Sequence, residues 1–171
     1  MLRGAIIGLG NVAVHGHLPG WLSRRDVEIV AATDAGPERR SLMDAHLPGG
    51  RWYDSTEALL AGEALDFVDI CTPPATHAGL VRTVLRRGLH VLCEKPLVCG
   101  MEEMRELTGV AEEADKSLFT VHNWHHAPIV RFVRDLLRRK VIGEVTHVRW
   151  RTLRTKPAVT GDGRGINWRL D

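Results

Sequence analysis

The stretch Leu2-Arg3-Gly4-Ala5-Ile6-Ile7-Gly8-Leu9-Gly10-Asn11-Val12-Ala13 constrains the fold more than any other part of the chain. A short apolar run leads straight into G-x-G-x-x-A, the spacing of a strand that turns sharply into a helix. Gly8 permits the tight turn, Gly10 keeps a Cβ out of the way where a ligand must approach, and Ala13 lets the helix sit close to the sheet. The amides of Gly8, Gly10, Asn11 and Val12 then converge at a helix N-terminus, whose partial positive charge suits a diphosphate. Taken by itself the motif is weak evidence, because glycines also mark ordinary turns.

A second strand that ends in an acid strengthens it. Asp34 closes the β-branched run Val27–Thr33, where its carboxylate can accept hydrogen bonds from the ribose hydroxyls of a dinucleotide. It lies somewhat further from Gly8 than the ~20 residues usual for such a pair, a difference that a long first helix and loop absorbs. A carboxylate there repels a 2′-phosphate, so NAD is expected over NADP. Arg39 and Arg40 stand close by and temper that preference, although paired arginines more commonly lie on a solvated helix face.

Downstream, strands and helices alternate at the pace of βαβ units. The first helix is expected over residues 11–23, bent or ended by Pro19, and the second over residues 37–46 with Pro37 in its first turn. Arg51–Tyr53 reads as a short strand, Ser55 as the N-cap of a helix over residues 56–61, and residues 65–71 as a fourth strand stopped by Thr72-Pro73-Pro74. A helix over residues 75–87 carries Leu80, Val81, Val84 and Leu85 inward and closes on Gly88. His90–Cys93 follows as a strand, then a helix with Met101, Met104, Leu107, Ala111 and Ala114 as its buried face, then a sixth strand over residues 117–122. The class is α/β, a doubly wound parallel sheet in the order 3-2-1-4-5-6 with right-handed crossovers. Ligands of such sheets bind past the carboxyl ends of the strands, where Gly8, Asp34, Thr72, Glu94 and His122 all fall.

Composition excludes several classes. The 23 basic and 21 acidic side chains leave +2, too little for a nucleic-acid surface. The densest basic stretch, Arg131 to Lys140, shares a helix pattern with Ile129, Phe132, Val133, Leu136 and Leu137, which makes the arginines a solvated face. No run of ~18 apolar residues exists to span a membrane, and the glycine-broken first strand is not a secretion signal, so a cytoplasmic protein is expected. Cys71, Cys93 and Cys99, an odd set without C-x-x-C spacing, suit free thiols, the first two as buried small apolar residues.

Gly8 to Ala13 with His17 and Pro19, then Thr72-Pro73-Pro74 with His77, then Glu94-Lys95-Pro96, together resemble the glucose-fructose oxidoreductase and inositol dehydrogenase (Gfo/Idh/MocA) family. The resemblance covers essentially the whole chain in order, and Glu94-Lys95-Pro96 is its most specific part. It implies that Cys71, Thr72 and Pro73 run along the nicotinamide ribose, that His77 and Glu94 lie near the cofactor, and that Pro96 is cis. It implies Lys95 as the catalytic residue beside the nicotinamide and the substrate hydroxyl, with Asn123 and His126 as further substrate contacts. The implied chemistry is hydride transfer between NAD and a sugar, polyol or related hydroxy compound. A lysine near its ordinary pKa of ~10.4 is a poor base at neutral pH, so Lys95 is read as a charged donor that polarises the hydroxyl or carbonyl, with another group taking the proton. Histidines 122, 125 and 126 could suggest a metal, but no acid or cysteine stands at ligand spacing, and no metal is expected.

The resemblance also sets two domains: a dinucleotide-binding domain over residues 1–122 and the incomplete beginning of a substrate and oligomerisation domain over residues 123–171. Residues 143–154 resemble the first long strand of that second domain's sheet, and residues 157–165 a glycine-rich loop. The family's catalytic aspartate and histidine would follow Asp171, so the chain is expected to be truncated, with self-association through the second-domain sheet as the implied assembly. Two functions follow from different classes: an NAD-dependent dehydrogenase, or an NAD-binding module without turnover, as a sensor or an inactive fragment.

Overall fold

The computed structural model describes residues 1–151 and 153. The chain divides into two compact units, Met1–Val121 and His122–Asp171.

The first unit is built on six parallel strands: β1 (Leu2–Ile7), β2 (Val27–Thr33), β3 (Arg51–Tyr53), β4 (Phe67–Ile70), β5 (His90–Cys93) and β6 (Leu118–Thr120). Their order is β3-β2-β1-β4-β5-β6, as the sequence predicts, with the reversal of direction between β1 and β4. Parallel strands must be joined by crossovers, and these helices cover both faces of the sheet. On one face Ile6, Ile29 and Phe67 pack with Leu9, Ala13, Val14, Leu18 and Met43. On the other, Ile7, Val68, Ile70 and Val91 pack with Leu59, Val81, Val84, Leu85 and Leu107. The helices are α1 (Leu18–Leu22), α2 (Arg40–His46), α3 (Thr56–Gly62), α4 (His77–Arg86) and α5 (Met101–Glu113).

Local chemistry sets the boundaries. Ser55 Oγ accepts the Ala58 N–H at 3.0 Å and caps α3. Gly88 ends α4 at φ +72°, a conformation that favours glycine. The first helix departs from its expected form: Ala13–His17 is a π-helical turn that passes into α1 (Leu18–Leu22), with Pro19 in its first turn. Proline lacks an N–H to continue an α-helical ladder, and the widened turn before it accommodates the loss.

The methionine face of α5 is corrected. Leu107 and Ala111 are buried, but Met101 and Met104 are exposed, Met101 at 67%. The reason is position: they occupy the first turn of α5, and Met104 lines an open groove with His90 and Thr108.

In the second unit, a 3-10 turn over Asn123–His126 leads into α6 (Pro128–Arg138), of which no residue is buried. The strand expected over residues 143–154 is not formed among the described residues. A strand is held by a ladder to a neighbour, and no strand ladder to this segment is present among the described residues. The glycine-rich loop expected over residues 157–165 lies outside the described residues. Among the described residues no helix is long and apolar enough to cross a membrane.

Candidate dinucleotide and active site

The carboxyl edge of the sheet is held by hydrogen bonds that run one residue past each strand. The Gly8 N–H donates to Thr33 O (2.9 Å), Cys71 N–H to Ile7 O (2.8 Å) and Glu94 N–H to Ile70 O (2.9 Å). The backbones that carry the expected site residues are thus extensions of the sheet itself, which fixes their spacing.

Gly8 adopts φ +91°, and a Cβ there would fall 2.7 Å from Thr72 Cγ2 and 2.9 Å from the Cys71 carbonyl carbon. The turn after β1 is therefore pressed against the end of β4. Gly10 is the reverse case: a Cβ would meet nothing within 4 Å. Ala13 is fully buried, and Asn11 and Val12 face outward beside Gly10. Asp34 follows β2 and ties the two strand ends together. Its Oδ2 accepts the Leu9 N–H at 2.6 Å and its Oδ1 the Gly36 N–H at 2.9 Å. Each oxygen keeps a lone pair for a hydroxyl donor. Arg39 and Arg40 are exposed, and Arg39 lies 3.7 Å from Glu38.

Thr72, Pro73 and Pro74 leave the end of β4, and the Lys95–Pro96 peptide bond that follows β5 is cis. His77, at the start of α4, is completely buried between these two loops. Its Nδ1 lies 2.7 Å from Pro96 O and its Nε2 2.8 Å from Thr72 O, so it reaches the cleft only through the backbones it holds. Lys95 keeps 45% of its side chain exposed, with Nζ 3.9 Å from Glu94 Oε2, the outer limit of an ion pair.

Glu94 turns inward. Its Oε1 lies 3.1 Å from His17 Nε2, while its Oε2 accepts the Lys95 N–H at 3.1 Å. His17 Nδ1 in turn lies 2.9 Å from Asp69 Oδ2, which also accepts the indole N–H of Trp21 at 2.6 Å. Cys71 Sγ completes the cluster, 3.3 Å from His17 Nδ1 and 3.5 Å from Asp69 Oδ1. Burial lowers the His17 pKa, but hydrogen bonds and charge from Asp69 and Glu94 outweigh it, and the net shift is upward. The two neighbouring thiols are pushed the other way from reactivity. Burial, then the charge of Asp69, raises Cys71 beyond the thiol range, and burial, then Asp69 and Glu94, raises Cys93 to about 12. Cys71 is therefore half-buried and hydrogen-bonded, unlike the buried apolar cysteine expected; Cys93 is buried.

Sequence reading missed Asp69, Trp21 and the role of His17. The signal was present in Phe67-Val68-Asp69-Ile70: a central parallel strand is covered on both faces, so an acid within it must have partners. Asn123 and His126 belong to the second unit, where both are exposed. Asn123 Oδ1 accepts the Trp124 N–H at 3.0 Å, and His126 meets His125 edge-on.

A doubly wound sheet with a glycine turn at its switch point defines the class: a Rossmann-type nucleotide-binding domain. A family model described as "Oxidoreductase family, NAD-binding Rossmann fold" matches residues 2–122, and the chain belongs to this family, Gfo/Idh/MocA. It is 33% identical over 141 residues to a D-apiose dehydrogenase of Paraburkholderia graminis, covering 82% of this chain and 37% of that protein. It is 31% identical over 155 residues to a D-glucoside 3-dehydrogenase of Escherichia coli, covering 90% of this chain and 44% of that protein. Among solved structures, an Agrobacterium radiobacter oxidoreductase in complex with NAD+, L-tartaric acid and magnesium superposes with a TM-score of 0.77 at 29% identity, over 84% of this chain and 42% of that one. A 3-ketoreductase from Actinomadura kijaniata in complex with NADP and TDP-benzene does so with 0.76 at 30% identity, over 84% and 44%. The chain therefore spans about two fifths of the length of these relatives.

Proposed function

We propose that the first unit binds a nicotinamide dinucleotide, and that the whole protein is an oxidoreductase acting on the carbinol carbon of a sugar, polyol or related hydroxy compound. The observation that carries this reading is the contrast between the two glycines. Gly8 is packed shut against β4, whereas the space above Gly10 is open, next to outward-facing Asn11 and Val12. Such a turn suits a diphosphate, with the amides of Gly10, Asn11 and Val12 as donors, since those of Gly8 and Leu9 are taken by Thr33 O and Asp34.

Asp34 would accept from the ribose hydroxyls and disfavour a 2′-phosphate, so NAD is preferred to NADP. Similar solved structures contain either cofactor: the Agrobacterium one holds NAD+ and the Actinomadura one NADP. Thr72 and Pro73, with Cys71 beneath them, would border the nicotinamide ribose, and His77 would support that border by gripping the carbonyls of Thr72 and Pro96. The bound nicotinamide supplies hydride acceptance and donation. Lys95 would hold the substrate oxygen by a charged hydrogen bond, and Asn123 and His126 would serve as substrate contacts of the complete protein. The domain division proposed from the sequence, a nucleotide domain followed by the beginning of a substrate domain, accompanies this reading, as do a cytoplasmic setting and self-association through the second domain.

Fluorescence titration of the chain with NADH and NADPH tests the binding step, and a panel of sugars and polyols tests turnover. Saturable binding with NADH tighter than NADPH is expected. Absence of binding to both would refute the reading.

A further inference from the structure

The cluster beneath Lys95 is built for more than packing. His17 has a carboxylate on each ring nitrogen: Asp69 at 2.9 Å from Nδ1 and Glu94 at 3.1 Å from Nε2. Ionised carboxylates only accept hydrogen bonds, so satisfying both requires a proton on each ring nitrogen. Both acids already work as acceptors elsewhere. Asp69 takes the Trp21 indole N–H and the Cys71 thiol, and Glu94 takes the backbone N–H of Lys95. An ionised pair around an imidazolium satisfies every one of these contacts, and no buried polar side-chain atom among the described residues lacks a partner.

We propose that His17 is a positioning residue for Lys95, acting as a largely shielded imidazolium that occupies one oxygen of Glu94 and leaves the other to hold the Lys95 backbone. The assignment of Lys95 as the reactive group rests on the proposed function; the coupling from His17 to the Lys95 backbone does not.

Geometry gives the device its logic. Glu94 joins the cluster directly to the backbone of Lys95, one carboxylate oxygen facing each way. With its charge answered by His17, Glu94 draws less on the Lys95 ammonium, whose Nζ stays 3.9 Å away and largely free. When His17 loses its second proton, one of the two acids loses its donor. Glu94, the more accessible of the pair at 13% against 0%, is the one able to turn toward Lys95 instead. The groups facing His17 are Asp69 and Cys71 at the end of β4, Glu94 after β5 with Lys95 beyond it, and Trp21 on α1. Cys71 stays a neutral thiol, since its pKa is raised, as is that of Cys93 on β5. His17 Nδ1, an Asp69 oxygen and Cys71 Sγ also lie within 4.8 Å of one another. Their short separations are those of donors and acceptors in contact, and a neutral thiol is a poor metal ligand.

The test is nuclear magnetic resonance on the intact chain labelled with 15N. Long-range proton–nitrogen spectra of the His17 ring, recorded across pH, should show an imidazolium with a midpoint above the ordinary histidine value of about 6.5. The backbone amide of Lys95 should titrate with that same midpoint. In Glu94→Gln the His17 midpoint should move down and the Lys95 amide should lose the co-titration. Asp69→Asn should lower the midpoint while the Lys95 amide still follows it. A neutral His17 ring at pH 6, or a Lys95 amide that ignores the His17 titration in the unmodified chain, would overturn the proposal. Adding NADH to the same sample reads the proposed function separately: no binding with co-titration intact would refute that reading and leave the coupling standing.

Discussion

Replacing Gly8 and Gly10 separately by alanine separates stability from binding at one turn. At Gly8 the backbone sits at φ +91°, and the new methyl would lie 2.7 Å from Thr72 Cγ2 and 2.9 Å from both the Cys71 carbonyl carbon and the Thr72 nitrogen. The left-handed conformation costs an L-residue roughly 1–2 kcal/mol, and forcing a methyl group against backbone adds about 1–3 kcal/mol. Gly8→Ala should therefore destabilise the chain by about 2–5 kcal/mol. At roughly 3–4 °C per kcal/mol for a domain of this size, the melting temperature falls by about 6–20 °C. Gly10 meets nothing within 4 Å and lies outside the left-handed region. Gly10→Ala should leave the melting temperature unchanged, or raise it slightly through the less flexible unfolded chain. The same methyl would stand in the path of the diphosphate, and NADH affinity should fall at least tenfold, about 1.4 kcal/mol. Thermal melts by circular dichroism and NADH fluorescence titrations on both variants decide it. A Gly10→Ala chain that binds NADH as before, or a Gly8→Ala chain that melts normally, would refute the reasoning.

Further outcomes follow from single contacts. Asp34→Asn keeps an oxygen for the Leu9 N–H but removes the charge, so the preference for NADH over NADPH in parallel titrations should narrow about tenfold. Of the three thiols only Cys99 is exposed, while the pKa values of Cys71 and Cys93 are raised, so a disulfide reagent at pH 8 should titrate one thiol in the folded chain and three in urea. The raised His17 pKa means that the folded state holds this proton more tightly than the unfolded one. The resulting stability is fully present below about pH 6.5 and lost as pH rises through the folded midpoint, so melting temperature should fall over that range, and fall less in Glu94→Gln. Ser55→Ala removes the cap of α3 and should cost about 1 kcal/mol in urea unfolding.

The strand order was legible because each strand is a continuous apolar run bounded by a turn residue, and because parallel strands leave few topologies open. The Gly8 turn, the Ser55 cap and the end of α4 at Gly88 were legible for the same reason: each depends on one residue's own backbone or side-chain chemistry. What escaped depends on partners distant in sequence. Asp69 looks like an interruption of a strand until Trp21 and His17 arrive from the first helical segment, and the bond from Glu94 to His17 joins residues far apart in the sequence. Met101 and Met104 carried the right periodicity for a buried face, but periodicity does not say how far along α5 the sheet extends beneath it. The segment after Gly143 alternates like a strand, but alternation by itself does not supply a ladder, and none forms among the described residues.

The central claim is that the turn from Gly8 to Ala13 receives the diphosphate of a dinucleotide, with Asp34 at its ribose and Lys95 across the cleft. A crystal structure of the chain grown with NAD+ tests it most directly. The account predicts density for the diphosphate against the amides of Gly10, Asn11 and Val12, above the open face of Gly10, and a ribose hydroxyl within hydrogen-bond distance of Asp34. A dinucleotide bound elsewhere on the chain, or a turn left bare at saturating NAD+, would contradict it.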